Sequence, residues 1–288
     1  MEVALAPITR ADVPAVAEFL HYYLNRRMSP EEWARSIQAP WKSSAPNHGF
    51  FLTAGGSVVG AYLAYYSDRE IAGKLEQFCN LAAWCVHPDY RSHSLRLLRA
   101  LLGQEGYHFT DLSPGPHVMA LNARLKFRTI DTTTALIPHL PWPTWPGRGR
   151  ISCDPAVIEN TLIGEALDVY RDHAGANAAR HLVLLRDGEW CYVMYRKDRR
   201  KRLRRLVFLV SILYVSNPRL FHQMARQLGR HLLLRHAALG SLAELRVIGR
   251  RPPLSSLRRD FRPKMFRSPT LGAEQIDNLY SELTCVPW

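Results

Sequence analysis

The chain has 288 residues, 47% hydrophobic and 22% charged, an ordinary globular composition with enough length for two domains of about 140 residues. Its net charge of +13 favours anionic partners without choosing among nucleic acid, acidic glycans and membrane surfaces. Five scattered cysteines exclude a disulfide scaffold, and no apolar run is long enough to cross a bilayer, so no membrane span is expected. The N-terminus, MEVALAPITRADV, shows neither the basic nor the apolar stretch of a secretory signal, which makes a reducing, cytoplasmic setting the expectation.

Val3 to Ile8 alternates as a first strand. Thr9, with Asp12 three residues on, resembles a helix start, and Val13, Val16, Ala17, Leu20 and Leu24 form one apolar helical face. Ser29-Pro30-Glu31-Glu32-Trp33 predicts a second capped helix with proline in its first turn. After a loop over Pro40 to Gly49, Phe50 to Ala54 and Ser57 to Tyr66 flank Gly55-Gly56 as a β-hairpin. The next strand lies within Leu75 to Val86. His87-Pro88-Asp89-Tyr90 ends it, because proline cannot continue a central ladder. From Arg91 onward, leucines at 95, 97, 98, 101 and 102 recur with a helical period. A strand, a tight turn and a helix in such quick succession aim free backbone N–H groups and a helix dipole at one spot, a natural phosphate cradle.

The strand end Cys85-Val86-His87-Pro88-Asp89-Tyr90-Arg91 resembles the V-H-P-x-Y-R segment of the GNAT superfamily of acetyltransferases, which runs into an Arg/Gln-x-x-Gly-x-Gly/Ala loop. Here the loop is Arg91-Ser92-His93-Ser94-Leu95-Arg96, with Ser94 and Arg96 where the glycines are expected. The order β-α-α-β-β-β-α-β-α-β over residues 1 to 137 is also similar to the family's. In that order Val58-Val59-Gly60 opens the third strand, Gly115 to Leu125 is a helix and Phe127 to Ile137 is a returning strand. The resemblance implies an acyl-CoA-binding domain over residues 1 to 138, using acetyl-CoA or another acyl-CoA to acylate an amine of a small molecule or a protein. It places the pyrophosphate on the amides of Arg91, Ser92, His93, Ser94, Leu95 and Arg96. A backbone N–H of Cys85 or Val86 would polarise the thioester carbonyl. The family's glutamate on the fourth strand falls on Asn80, and its tyrosine before the returning strand falls on Asn122. An amide hydrogen-bonds but exchanges no proton at neutral pH. Glu76, on or just before that strand, is the remaining candidate base. The histidines show no HxxxH or HExxH spacing, and no metal site is expected.

Pro138 to Gly147 holds four prolines in ten residues, so 139–150 reads as a linker, or alternatively as a loop whose Trp142 and Trp145 cover a substrate cleft. Pro155 to Tyr170 predicts a helix, and His181 to Leu185 with Trp190 to Tyr195 a hairpin. Leu206 to Val215 reads as a buried strand, Leu220 to His236 as an amphipathic helix and Ser241 to Ile248 as a strand. Hairpin, strand, helix, strand repeats the first domain. The expected fold class is therefore α/β, two GNAT-like mixed-sheet domains in tandem, with residues 151–288 a degenerate copy that has Ser216-Asn217-Pro218-Arg219 in place of the loop. Arg196 to Arg205 carries eight basic residues in ten, a solvated hairpin arm or a polyanion patch; it lacks aromatics to stack on bases, which disfavours nucleic acid. Two functions stand: an N-acyltransferase whose second copy serves as a substrate or homodimer domain, and a GNAT-like pseudoenzyme that binds coenzyme A or a polyanion as a scaffold.

Overall fold

A computed structural model describes residues 2–143, 149–202, 205–259 and 261–287, with the backbone alone for 199–202 and 205–207. Trp145 lies outside the described residues. The first elements are β1 (Val3–Pro7), α1 (Val13–Tyr23), α2 (Pro30–Ile37), β2 (Gly49–Ala54), β3 (Ser57–Ile71) and β4 (Lys74–Val86). A 3-10 helix over Pro88–His93 runs into α3 (Ser94–Leu102), followed by β5 (Tyr107–Asp111), α4 (Pro116–Arg124) and β6 (Arg128–Ile130). Then come β7 (Thr134–Pro138), β8 (Arg150–Ser152), α5 (Pro155–Thr161), α6 (Glu165–His173), β9 (Ala179–Arg186), β10 (Glu189–Arg202) and β11 (Arg205–Val215). The chain ends with α7 (Pro218–Gln223), α8 (Ala225–His236), β12 (Gly240–Glu244), α9 (Leu245–Ile248), β13 (Ser256–Arg258), β14 (Lys264–Arg267) and α10 (Glu282–Cys285). Among the described residues no helix is long and apolar enough to cross a membrane.

Local signals account for most of these elements. The Ser29 hydroxyl accepts from the Glu32 N–H while the Glu32 carboxylate accepts from the Ser29 N–H, a reciprocal cap that starts α2 and seats Trp33 in the core. Gly55 and Gly56 both have positive φ, 54° and 79°, as a two-residue hairpin turn requires. The leucine spacing of α3 buries Leu97, Leu98 and Leu101 against Leu52, Tyr66, Cys79, Leu81 and Phe109. Each such leucine contributes about 1.5–3 kcal/mol.

The chain forms two compact units. The first comprises Met1–Ile130, Pro263–Ile276 and Tyr280–Pro287; the second comprises Asp131–Arg262 with Asp277–Leu279. The first unit's sheet runs β1-β2-β3-β4-β5-β14-β6 and the second's β13-β7-β12-β11-β10-β9-β8. Both are antiparallel except for one step, β4 with β5 in the first and β11 with β12 in the second. The strand expected over Phe127 to Ile137 is two strands. Thr133 N–H and Oγ1–H both donate to Asp131 Oδ1, a turn that breaks the run. Its first piece, β6, stays in the first sheet, while β7 pairs with β12 in the second. The place beside β5 is taken instead by β14, from sequence assigned above to residues 151–288.

Other expectations shift for stated reasons. The Pro155–Tyr170 helix is split into α5 and α6 by Gly164, whose φ is 56°. Ser241 to Ile248 begins as β12 but turns into α9, and the Leu220–His236 helix is interrupted at Met224. Trp142 sits beneath the Arg226 guanidinium, 5.1 Å away, as a surface cation–π pair. Gly49, at the start of β2, has φ 107°, and a Cβ there would lie 2.2 Å from the Tyr62 carbonyl oxygen. Gly49→Ala is therefore expected to cost about 3 kcal/mol or more, read as a shift of the urea midpoint. A shift below about 1 kcal/mol would contradict this backbone path.

Candidate active site

The parallel step of the first sheet is short. It pairs Gln77 to Asn80 of β4 with Tyr107 to Thr110 of β5 and ends there. Beyond Asn80, β4 keeps its ladder to β3 but has no β5 partner, so one edge of Leu81–Val86 is released. A bulge falls on the same stretch: Ala61 pairs with Cys85 and Leu63 with Ala82, giving β4 an extra residue, and Ala83 has φ 53°. A non-glycine residue held there costs of order 1 kcal/mol, the kind of strain that collects at functional sites. Such a bulge re-aims backbone groups out of the ladder.

A buried polar cluster fills the fork where β4 and β5 part. Asn80 is 2% exposed and donates from Nδ2 to Thr110 Oγ1 at 3.0 Å. Its Oδ1 accepts the Glu282 backbone N–H at 3.0 Å, which fixes the start of α10. Asp111 ends β5 at 5% exposure, and its Oδ2 accepts from Asn122 Nδ2 at 2.9 Å. Glu282 is fully buried, with Oε1 accepting from Ser113 Oγ at 2.7 Å. Two acceptors remain without a hydrogen bond, Asn122 Oδ1 and Glu282 Oε2.

The electrostatics follow from burial. Desolvation first, then the Glu282 carboxylate, push the Asp111 carboxyl up to about 7. Desolvation likewise raises Glu282, against the pull of its Ser113 hydrogen bond and the Lys264 charge. The Glu282 charge acts on Asp111, so the titration of one depends on the other.

Asn80 and Asn122, singled out by resemblance, are thus brought together with two carboxyls that sequence reasoning missed. Glu76 stays outside. Its carboxylate is bound by His108 Nε2 and Lys74 Nζ, both at 2.9 Å, and hydrogen bonding to His108 and then Lys74 holds it below the usual range. A carboxylate held low is a weak base.

The expected phosphate loop takes a different form. Pro88–His93 is a 3-10 helix continuous with α3, in which Tyr90 N–H donates to the His87 carbonyl and Ser94 N–H to that of Arg91. Arg96 is tied to the first strand, its Nη1 donating to the Val3 carbonyl at 2.8 Å, with His93 Nδ1 at 3.4 Å. Arg91, Ser92 and Leu95 are exposed. Cys85 and Val86 keep their β3 pairings, with Ala61 and Gly60, and burial pushes the Cys85 thiol up to about 11, so it is no nucleophile.

No family model and no curated protein matches the sequence. Solved structures do match in shape. A conserved protein of unknown function from Enterococcus faecalis V583 aligns with a TM-score of 0.59 at 12% identity, over 93% of this chain and 73% of that one. A GCN5-related N-acetyltransferase from Anabaena variabilis ATCC 29413 aligns at 0.55 and 10% identity, covering 92% of this chain and 72% of that one. The fold is the GNAT fold. Saccharomyces cerevisiae N-myristoyltransferase, solved with bound myristoyl-CoA, aligns at 0.52 and 10% identity, covering 98% and 85%.

A second feature of the first unit is a cavity. Ile37, Trp41, Asn47, His48, Tyr65 and Tyr66 line a cavity of about 290 Å³. Its Tyr65 wall lies within electrostatic reach of Glu282, and Trp41 packs edge-on to Tyr280 at 5.3 Å.

Proposed function

We propose that the chain is an acyl-CoA N-acyltransferase whose proton transfers run through Asp111 and Glu282. The observation that supports this is the placement of two carboxyls among Asn80, Asn122 and Ser113, at the fork of β4 and β5 in a GNAT fold. Neighbours of the same fold include an N-acetyltransferase and an N-myristoyltransferase holding its acyl-CoA. The acyl-CoA would lie along the free edge of Leu81–Val86, where a backbone N–H released at the Ala83 bulge meets the developing oxyanion. The phosphate end would rest on the exposed Arg91 side chain rather than on a glycine-loop nest.

An ammonium acceptor must lose a proton before its nitrogen attacks the thioester carbon. The C–N bond forms, the C–S bond breaks, and the departing thiolate takes up a proton. Asp111, poised near neutrality, exchanges that proton at physiological pH. Asn122 orients the Asp111 oxygen, and Asn80 anchors the α10 backbone that carries Glu282. Both are positioning residues. The aromatic cavity of Trp41, Tyr65 and Tyr66 suits an amine, whose cation is attracted to ring faces.

The pseudoenzyme reading draws on one observation: the carboxyls are closed in, with Glu282 at 0% exposure. There the pair would only tie α10 to the sheet. Thermal shifts with coenzyme A, acetyl-CoA and longer acyl-CoAs, followed by thiol release with an amine panel, decide between them. Ligand at a hundredfold excess over Kd is expected to add about 2.7 kcal/mol of stability. No stabilisation by any of them overturns the enzyme and the coenzyme A-binding scaffold alike; binding without thiol release overturns the enzyme alone.

A further inference from the structure

We propose that the ribbon formed by β10 and β11 docks the protein on anionic phospholipid surfaces. The two strands pair from Val193 with Val215 out to Arg202 with Arg205. Their neighbours stop short: β9 follows β10 only to Arg196, and β12 follows β11 only from Leu209. Arg199–Arg202 and Arg205–Phe208 therefore continue as a two-stranded arm beyond the sheet. The register sets a cation against an apolar residue at three consecutive positions, Arg199 with Phe208, Arg200 with Val207 and Lys201 with Leu206. One strand of the arm is basic and its partner is chiefly apolar.

The base of the arm is fixed. Asp198, the one acid in the basic run, is 4% exposed and held by Arg196 at 3.4 Å, by Arg262 at 3.0 Å and by the Ser211 hydroxyl. Its charge is matched locally, so it does not offset the cations further out. An apolar patch surrounds the foot. Phe208 is 38% exposed, and its carbonyl accepts the N–H of Leu239, which is 55% exposed. The Leu239 carbonyl accepts in turn from His139 N–H, next to Leu140 at 41%.

This combination selects the partner. A nucleic acid would use the arginines and lysines, but it has no use for an adjacent apolar strand, and the basic run offers no ring for base stacking. A lipid interface uses both, because cations sit among anionic headgroups while aliphatic and aromatic groups enter the acyl boundary. The open edges of a two-stranded ribbon bar it from the hydrocarbon core, so the arm lies on the membrane and does not cross it.

The test is sedimentation of the full chain with vesicles of phosphatidylcholine, alone or with about 30% phosphatidylserine, beside a duplex DNA oligonucleotide as the rival polyanion. Strong binding is expected only to the mixed vesicles. Replacing Arg199, Arg200, Lys201 and Arg202 by Ser together is expected to lower partitioning by about 100-fold or more, at about fivefold per cation. The pair Leu206→Ser and Phe208→Ser is expected to lower vesicle binding about tenfold and to leave DNA affinity unchanged. No preference for the anionic vesicles overturns the proposal. So does an apolar variant with undiminished vesicle binding, which would mark a plain polyanion patch. The apolar pair keeps every charge, so it decides the matter even if the quadruple variant does not fold.

Discussion

Asp111→Asn is expected to lower turnover by about 10²–10⁴-fold, the usual worth of a positioned acid–base group, with coenzyme A binding unchanged. The substitution keeps the volume and leaves an oxygen to accept from Asn122 Nδ2. It is also expected to change how stability depends on pH. The folded-state value of Asp111 is raised to about 7 from 3.8. A group raised in this way contributes stability that is fully present below about pH 4 and is lost as pH rises through about 7. The wild-type protein should accordingly lose on the order of 4 kcal/mol between pH 4 and pH 8 through this site. Glu282, raised in the same direction, adds to that fall, while the Lys264 charge opposes it. Burial first, then the Asp111 charge, raises the Tyr62 phenol, which stays neutral throughout. Near pH 8 the Asn variant should be far slower yet more stable than its parent. Urea titrations at both pH values check this. An equally steep pH dependence in the variant, or undiminished turnover, removes Asp111 from the role given to it.

Much of the first unit was legible because its signals are local. The Gly55-Gly56 turn, the Ser29–Glu32 cap and the leucine period of α3 each act within a few residues, and each forms as read. The site was legible only in part. Asn80 and Asn122 were found through a motif, but their carboxyl partners lie far along the chain. Asn80 and Glu282 are 202 residues apart, and Ser113 and Glu282 are 169. Nothing in the Ser281-Glu282-Leu283 neighbourhood signals burial, since an acid after a serine reads as an exposed helix start. Asp111, at the end of the short strand Tyr107–Asp111 and just before Ser113-Pro114-Gly115, reads as an ordinary turn residue. Resemblance to the family's loop puts Arg96 at the phosphate; its contact with Val3, from the first strand, depends on tertiary structure. The break at Asp131 was visible in principle, because Asp-Thr-Thr is turn chemistry within an otherwise β-prone run.

A chain ended after Arg262, or a fragment of residues 1 to 138, is expected not to fold its first unit. Both lack β14, which pairs Lys264 with Ile130, Met265 with Asp111 and Thr129, and Phe266 with Thr110 and Arg128. Without it β5 becomes a bare edge and β6 has no partner in the sheet. Met265 and Phe266, 2% and 1% exposed, leave the core with it. Each is worth about 2–5 kcal/mol by the cost of truncation to alanine. Loss of α10 also removes the N–H that satisfies Asn80 and the carboxyl that satisfies Ser113, at about 1–3 kcal/mol for each buried group left alone. Together these losses match or exceed the 5–15 kcal/mol that holds a typical domain folded. Amide exchange at Gln77 to Asn80 is the measurement: slow in the full chain, fast in both shortened forms. Phe266→Ala in the full chain gives a graded version, expected to destabilise by about 3–5 kcal/mol. Native-like protection in the 1–138 fragment would show that β14 is dispensable, and that the contiguous domain read from the sequence is the true folding unit.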